Sequence, residues 1–138
     1  MSEADLMELT RAECLRMLST AVIGRVVFTH LALPTAQPVS FFLDDEEVIF
    51  RTSSDSRLAT ATNNVVVAFQ VDEIDPAART GWSICGVGEA YEVRHPRRLA
   101  ELTELAPPSW LPSGTTHTVS IPMQQLSGRQ IVLAEGLS

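Results

Sequence analysis

Lysine is absent: all ten basic residues among the 138 are arginine. That excludes a lysine Schiff base and the lysine of a phosphate-binding P-loop. It leaves arginine as the side-chain cation for any anionic ligand, which it grips as a planar fork. Cysteine is scarce as well. Cys14 and Cys85 lie far apart with no C-x-x-C spacing, which argues against a disulfide framework or a cysteine zinc site. No apolar run approaches the about 20 residues that cross a bilayer, so no membrane partner is expected. Positive charge is in deficit, and a net charge of −7 speaks against a nucleic-acid binder. No G-x-S-x-G surrounds a serine and no G-x-G-x-x-G opens a strand-to-helix unit, so neither a serine hydrolase nor a Rossmann domain is expected. His30, His95 and His117 are widely spaced and no ligand cluster stands out, so no metal is assigned. Met1–Glu8 lacks the basic-then-apolar order of a signal peptide, and a cytoplasmic protein is expected.

What is present fits one soluble domain over residues 1–138, with 45% hydrophobic and 20% charged residues. Thr10 and Glu13 form a capping-box pattern before a helix of about 10–19, whose apolar stripe includes Leu6, Leu9, Cys14, Leu15 and Leu18. That helix is expected to cap a barrel end or pack on a sheet. Ala21–His30 is rich in β-branched residues and reads as a strand, with Gly24 marking a bulge, a bend or a close backbone approach. Pro34 and Pro38 bracket an expected loop. Val39–Leu43 and Val48–Thr52 then make a hairpin through Asp44–Glu47.

After a short helix at Arg57–Thr62, Val65–Val71 and Gly81–Val93 are strands, separated by a polar loop from Asp72 to Thr80 that is expected to be mobile. Gly86 and Gly88 share a strand face with Trp82, which is expected to leave room beside that ring. Pro96 starts a third helix to Leu105, Ala106–Pro112 is a rigid loop, and His117–Met123 and Gln130–Ala134 read as further strand. Six or seven strands with short helices in the connections predict an antiparallel barrel with helical inserts.

The stretch with the most chemistry is Val48–Asn64. A strand ends in Arg51 and Thr52, a hydroxyl-rich turn follows, and a helix begins near Asp55 or Ser56. A helix start carries unpaired N–H groups and partial positive charge, so the turn suits a phosphate. The alternative is a plain surface cap, with Ser54 capping and Asp55 complementing the dipole. Phe41, Phe42, Phe69 and Trp82 supply flat apolar surface that a ring system with a phosphate tail would use.

The order of Gly24-Arg-Val26, Pro38-Val-Ser-Phe41, Val48-Ile-Phe-Arg-Thr52, Ser56-Arg-Leu58, Val67–Asp72, Gly81-Trp-Ser83 and Gly88 resembles the pyridoxamine-phosphate-oxidase-like superfamily of flavin-binding split barrels, with a weaker echo at Gly128–Ile131. The resemblance implies a mainly β fold, a six-stranded antiparallel split β-barrel with three short helices. It also implies a homodimer with cofactor sites at the interface, binding FMN or, alternatively, the deazaflavin F420, and acting as an oxidoreductase on a small molecule. It places the cofactor phosphate on Thr52, Ser56 and Arg57, with Arg51 and Ser54 as secondary candidates. It lays the flavin ring along Val39, Ser40 and Phe41, with Gln70 approaching from the partner side. Trp82 joins these as a ring contact on its flanking glycines. The resemblance names no general acid or base. Asp55 stands where relatives commonly carry glycine, which favours a third possibility, a dimeric ligand-binding module without cofactor. The arginine-containing C-terminal motif of true pyridoxamine-phosphate oxidases is missing, so oxidation of a B6 vitamer is not expected.

Overall fold

The structure is a computed structural model that describes residues 4–107 and 116–133. Its elements run β1 (Ala4–Leu9), α1 (Arg11–Leu18), β2 (Ile23–His30), β3 (Leu33–Asp44), β4 (Glu47–Ser53), α2 (Arg57–Ala61), β5 (Val65–Asp75), β6 (Thr80–Glu92), α3 (Pro96–Leu105), β7 (Thr116–Pro122) and β8 (Gln125–Leu133). The strands pair in the order β1-β8-β6-β5-β2-β3-β4-β7, and a further β6–β7 pairing closes the ring. Six strands, β2 to β7, therefore make an antiparallel barrel. β8 and β1 extend it as two outer strands. The expected split-barrel architecture with short helices is what the chain adopts.

Alternation explains the barrel wall. Along β3, Val39 and Phe41 are buried while Ser40 and Phe42 turn outward, the period of a strand with one face on a core. The core gathers Val26, Phe28, Phe41, Phe50, Phe69, Ile84 and Ile121, with Leu58 and Ala61 of α2 and Cys14 and Leu18 of α1. Phe41 and Phe69 meet edge to face at 4.7 Å between ring centroids. Thr10 Oγ1 accepts from Glu13 N at 3.2 Å and Glu13 Oε1 accepts from Thr10 N at 2.9 Å, completing the capping box.

Several local expectations are corrected. Leu6 and Leu9 belong to β1, which pairs with β8, and not to a helical stripe. The segment from Pro34 to Pro38 is strand, paired with β2 from His30↔Leu33 onward. Proline is tolerated because β4 pairs β3 only over Phe41–Asp44, which leaves the other edge of this half without a neighbouring strand. The β2–β3 connection is a two-residue turn with Leu31 and Ala32 both at positive φ. Asp72–Thr80 is mostly ladder, with Glu73 opposite Trp82, and Asp75 Oδ1 tightens its turn by accepting from Ala77 N at 3.0 Å and Ala78 N at 3.1 Å. Gly24 is approached by a side chain rather than a backbone, since a Cβ there would strike the Phe69 ring. Gly86 and Gly88 make no space for a ligand beside Trp82. They let Met123 and the Pro122 carbonyl lie against β6. Of the expected loop Ala106–Pro112, the part from residue 108 on lies outside the described residues, as does Ala134.

Candidate functional site

The turn between β4 and α2 is built by its own hydroxyls. Ser56 caps α2, accepting from Ala59 N at 3.0 Å and donating to the Ser53 carbonyl at 2.8 Å. With that proton committed, the 2.7 Å contact to Thr52 Oγ1 must be donated by Thr52. Ser53 donates to Asp55 Oδ1 at 2.5 Å, which draws the carboxylate back onto its own turn. Three hydroxyls are thus spent internally. Ser54 and Arg57, both exposed, are the side-chain donors the turn presents outward. Arg51 leans the other way, with Nη2 donating to Thr103 Oγ1 of α3 at 3.0 Å.

The remaining candidates divide by face. Val39 and Phe41 are 8% and 2% exposed and point into the barrel, so a ligand outside it would meet their backbone groups only. Ser40 points outward, and its buried Oγ has no hydrogen-bond partner among the described residues. A buried hydroxyl in that state costs free energy until something pairs with it. Ser40 stands opposite Ile23, and Pro38, Arg25 and Gln70 form one row across β3, β2 and β5. Ile23, Pro38, Arg25 and Gln70 line a cleft of about 330 Å³ together with Asp72 and Glu73. Its volume lies at the lower end of the range for small-molecule sites. The next row on this outer face, Ala36, Val27, Ala68 and Val87, is apolar.

Trp82 stands opposite Glu73 across β5 and β6 but does not line this cleft, because its ring packs against the core. It lies ten residues along β6 from Glu92, or roughly 33 Å of extended strand. A second cleft of about 240 Å³ flanks α2, between that helix and the adjoining ends of β6 and β7. Ser54 belongs to its lining, with Thr60, Asn63, Glu92, Arg94 and His117. His117 is the cross-strand partner of Thr52, a juxtaposition that only the β4–β7 register reveals. Glu92, 22% exposed, accepts from Arg94 at 3.1 Å and lies 3.8 Å from His117 Nδ1. Arg94, Glu92 and Asn63 carry no local motif and come together only in the fold.

Comparison with known proteins adds a family to this geometry. The family described as pyridoxamine 5'-phosphate oxidase matches residues 10–130. The protein Rv0080 of Mycobacterium tuberculosis, itself uncharacterized, is 37% identical over 136 residues, covering 95% of this chain and 89% of its own. Among solved structures, an FAD-binding protein from Mycobacterium smegmatis is 30% identical with a TM-score of 0.83, covering 93% of this chain and 100% of its own. An FAD-binding protein from Mesorhizobium loti superposes with a TM-score of 0.71 over 91% of this chain and 97% of its own; at 21% identity it supports the fold alone.

Proposed function

The chain belongs to the pyridoxamine 5'-phosphate oxidase family, and from that premise we propose that it is a flavin-binding protein of oxidoreductase type, working as a homodimer with the cofactor at the interface. The observation that carries this reading is Ser40 Oγ, buried and unpartnered on the outer face of β3. A flavin ring edge, with its carbonyls and ring nitrogens, offers the hydrogen bond that this hydroxyl lacks. Ser54 and Arg57 then hold the phosphate tail, the guanidinium as a charged fork. Asp55 is the opposing charge on this turn, its carboxylate held by Ser53, and the Arg57 guanidinium is the cation that offsets it.

Gln70 stands in the cleft beside Ser40's strand partner Ile23, where a second copy packed on the apolar Ala36–Val27–Ala68–Val87 row would bring it toward the ring. Val66, next to Ala68 on the outer side of β5, is 62% exposed and extends that row into an apolar surface of the kind that protein partners cover. A bound flavin supplies hydride or single-electron transfer, and this chain's part is to bind the ring, orient it and set its electrostatic surroundings.

The test is the visible spectrum of the purified protein, followed by titration with FMN, FAD and F420 in turn and measurement of mass in solution. Flavin absorption bands and a dimer mass are the expected results. Absence of micromolar binding by all three would end the cofactor reading in favour of a plain ligand-binding module. Tight binding of F420 alone would move the protein to deazaflavin chemistry.

A further inference from the structure

We propose that the cleft beside α2 receives the ribose and phosphate of the adenylate half of a dinucleotide flavin, with the adenine beyond them, so that this protein selects FAD over FMN. The inference rests on the flavin reading above and adds to it a specificity site made of Asn63, Glu92, Arg94 and His117.

Four observations lead there. First, the cleft adjoins the cofactor turn through a shared residue. Ser54 lies in the exposed part of the turn and also lines the cleft, and His117 inside it is paired across the sheet with Thr52. Second, its size selects a fragment. About 240 Å³ falls below the about 300–1,000 Å³ typical of sites for whole drug-sized ligands. It suits a ribose phosphate tethered from elsewhere and not a free-standing dinucleotide.

Third, the lining offers both kinds of partner that such a fragment needs. Arg94, Asn63 and the hydroxyls of Ser54 and Thr60 are donors for phosphate oxygens. Glu92 is a carboxylate acceptor, the group that suits a ribose diol. A lining of cations alone would point to any small anion, whereas this mixture does not.

Fourth, the site is poised and not sealed. The Arg94 side chain is 73% exposed, and its pair with Glu92 at 3.1 Å is an exposed ion pair that costs little to open. Glu92 is the more buried partner and lies 3.8 Å from His117 Nδ1. Arg94 can therefore turn onto a phosphate while Glu92 stays in place to meet the sugar.

The experiment titrates the full chain, freed of bound flavin, with FMN and with FAD, and follows flavin fluorescence. Wild type is expected to bind FAD about tenfold or more tighter than FMN, the weight of one added charged hydrogen bond. In Arg94→Gln, and separately in Asn63→Ala, FAD affinity should fall toward that of FMN while FMN affinity stays unchanged. The unchanged FMN value doubles as the control for folding. Equal binding of the two flavins by wild type, or a preference for FAD that survives in both variants, would overturn the specificity site and leave the flavin reading standing. Failure of wild type to bind either flavin would remove both.

Discussion

Around α3, an arginine, two carboxylates and two hydroxyls close upon one another, whereas around α2 two arginines and a serine hydroxyl stay open to solvent. On the α3 side, Glu47 accepts from Tyr91 Oη at 2.7 Å and Ser120 Oγ at 2.6 Å. Arg98 reaches Glu47 at 3.5 Å and Asp44 at 3.6 Å, and it also donates to Tyr91. Beneath this network Leu102 packs with Ile49 and Val93, all nearly solvent-free. On the α2 side, Ser54 and Arg57 face water and Arg94 is paired only at an exposed position. Polar groups that satisfy each other in a shielded place fix structure. The same groups left facing a cleft are available to a ligand.

The comparison can be broken most forcefully at Leu102, which is 2% exposed. Leu102→Ala is expected to cost about 2–5 kcal/mol, since it removes a buried side chain and leaves a cavity. Flavin affinity per folded molecule should hold. Urea unfolding measures the first and fluorescence titration the second. A variant of wild-type stability that bound flavin poorly would reverse the roles assigned to the two flanks.

Glu47 gives a smaller effect with a pH signature. Burial works to raise its pKa, but hydrogen bonds from Ser120 and Tyr91 and the Arg98 charge outweigh burial, and the carboxyl sits below its usual value near 4.5. A group whose pKa is lowered by folding adds stability that is fully present above its unfolded pKa. That stability is lost as pH falls through the folded value. Glu47→Gln is therefore expected to lose about 1–2 kcal/mol near neutrality. It should also lose less than wild type on acidification below the usual carboxylate value. Unfolding curves taken from neutral pH down to about pH 3 decide this. Parallel acid limbs for the two proteins would mean that Glu47 is not the linked group.

Legibility in the sequence followed the same division. The barrel strands could be read because β-branched and aromatic residues alternate along them, and the α1 cap because Thr10 and Glu13 report on their own neighbours. β1 is hidden in the sequence because Leu6 and Leu9, three residues apart, match a helical face and not a strand's period of two, and only the pairing with β8 makes the segment a strand. The prolines of β3 mislead because the missing N–H matters only when a strand lies on that side. Within the site, the turn hydroxyls were visible as a run, but their internal hydrogen bonds were not. Those bonds move the emphasis from Thr52 and Ser56 to Ser54 and Arg57. The glycines that share a strand face with Trp82 suggest open space in the sequence, and Met123 and Pro122 occupy it. His117 beside Thr52 is a matter of register, which no local motif encodes.

Arg57 supplies the sharpest contrast because its expected effect on stability is the smallest. It is exposed at the start of a five-residue helix, and surface substitutions away from caps and buried networks usually stay within about 0.5 kcal/mol. Arg57→Ala should therefore unfold with the wild-type midpoint. Its flavin affinity should nevertheless fall by about 1.5–3 kcal/mol if the guanidinium makes a charged hydrogen bond to the phosphate. Because phosphate is the assigned contact, riboflavin, which lacks it, should bind wild type and variant equally. An Arg57→Ala protein with unchanged affinity for FMN and FAD would take Arg57 out of the site and leave Ser54 as the turn's outward-facing contact. A loss that extended to riboflavin would mean that Arg57 acts through the shape of the turn and not through the phosphate.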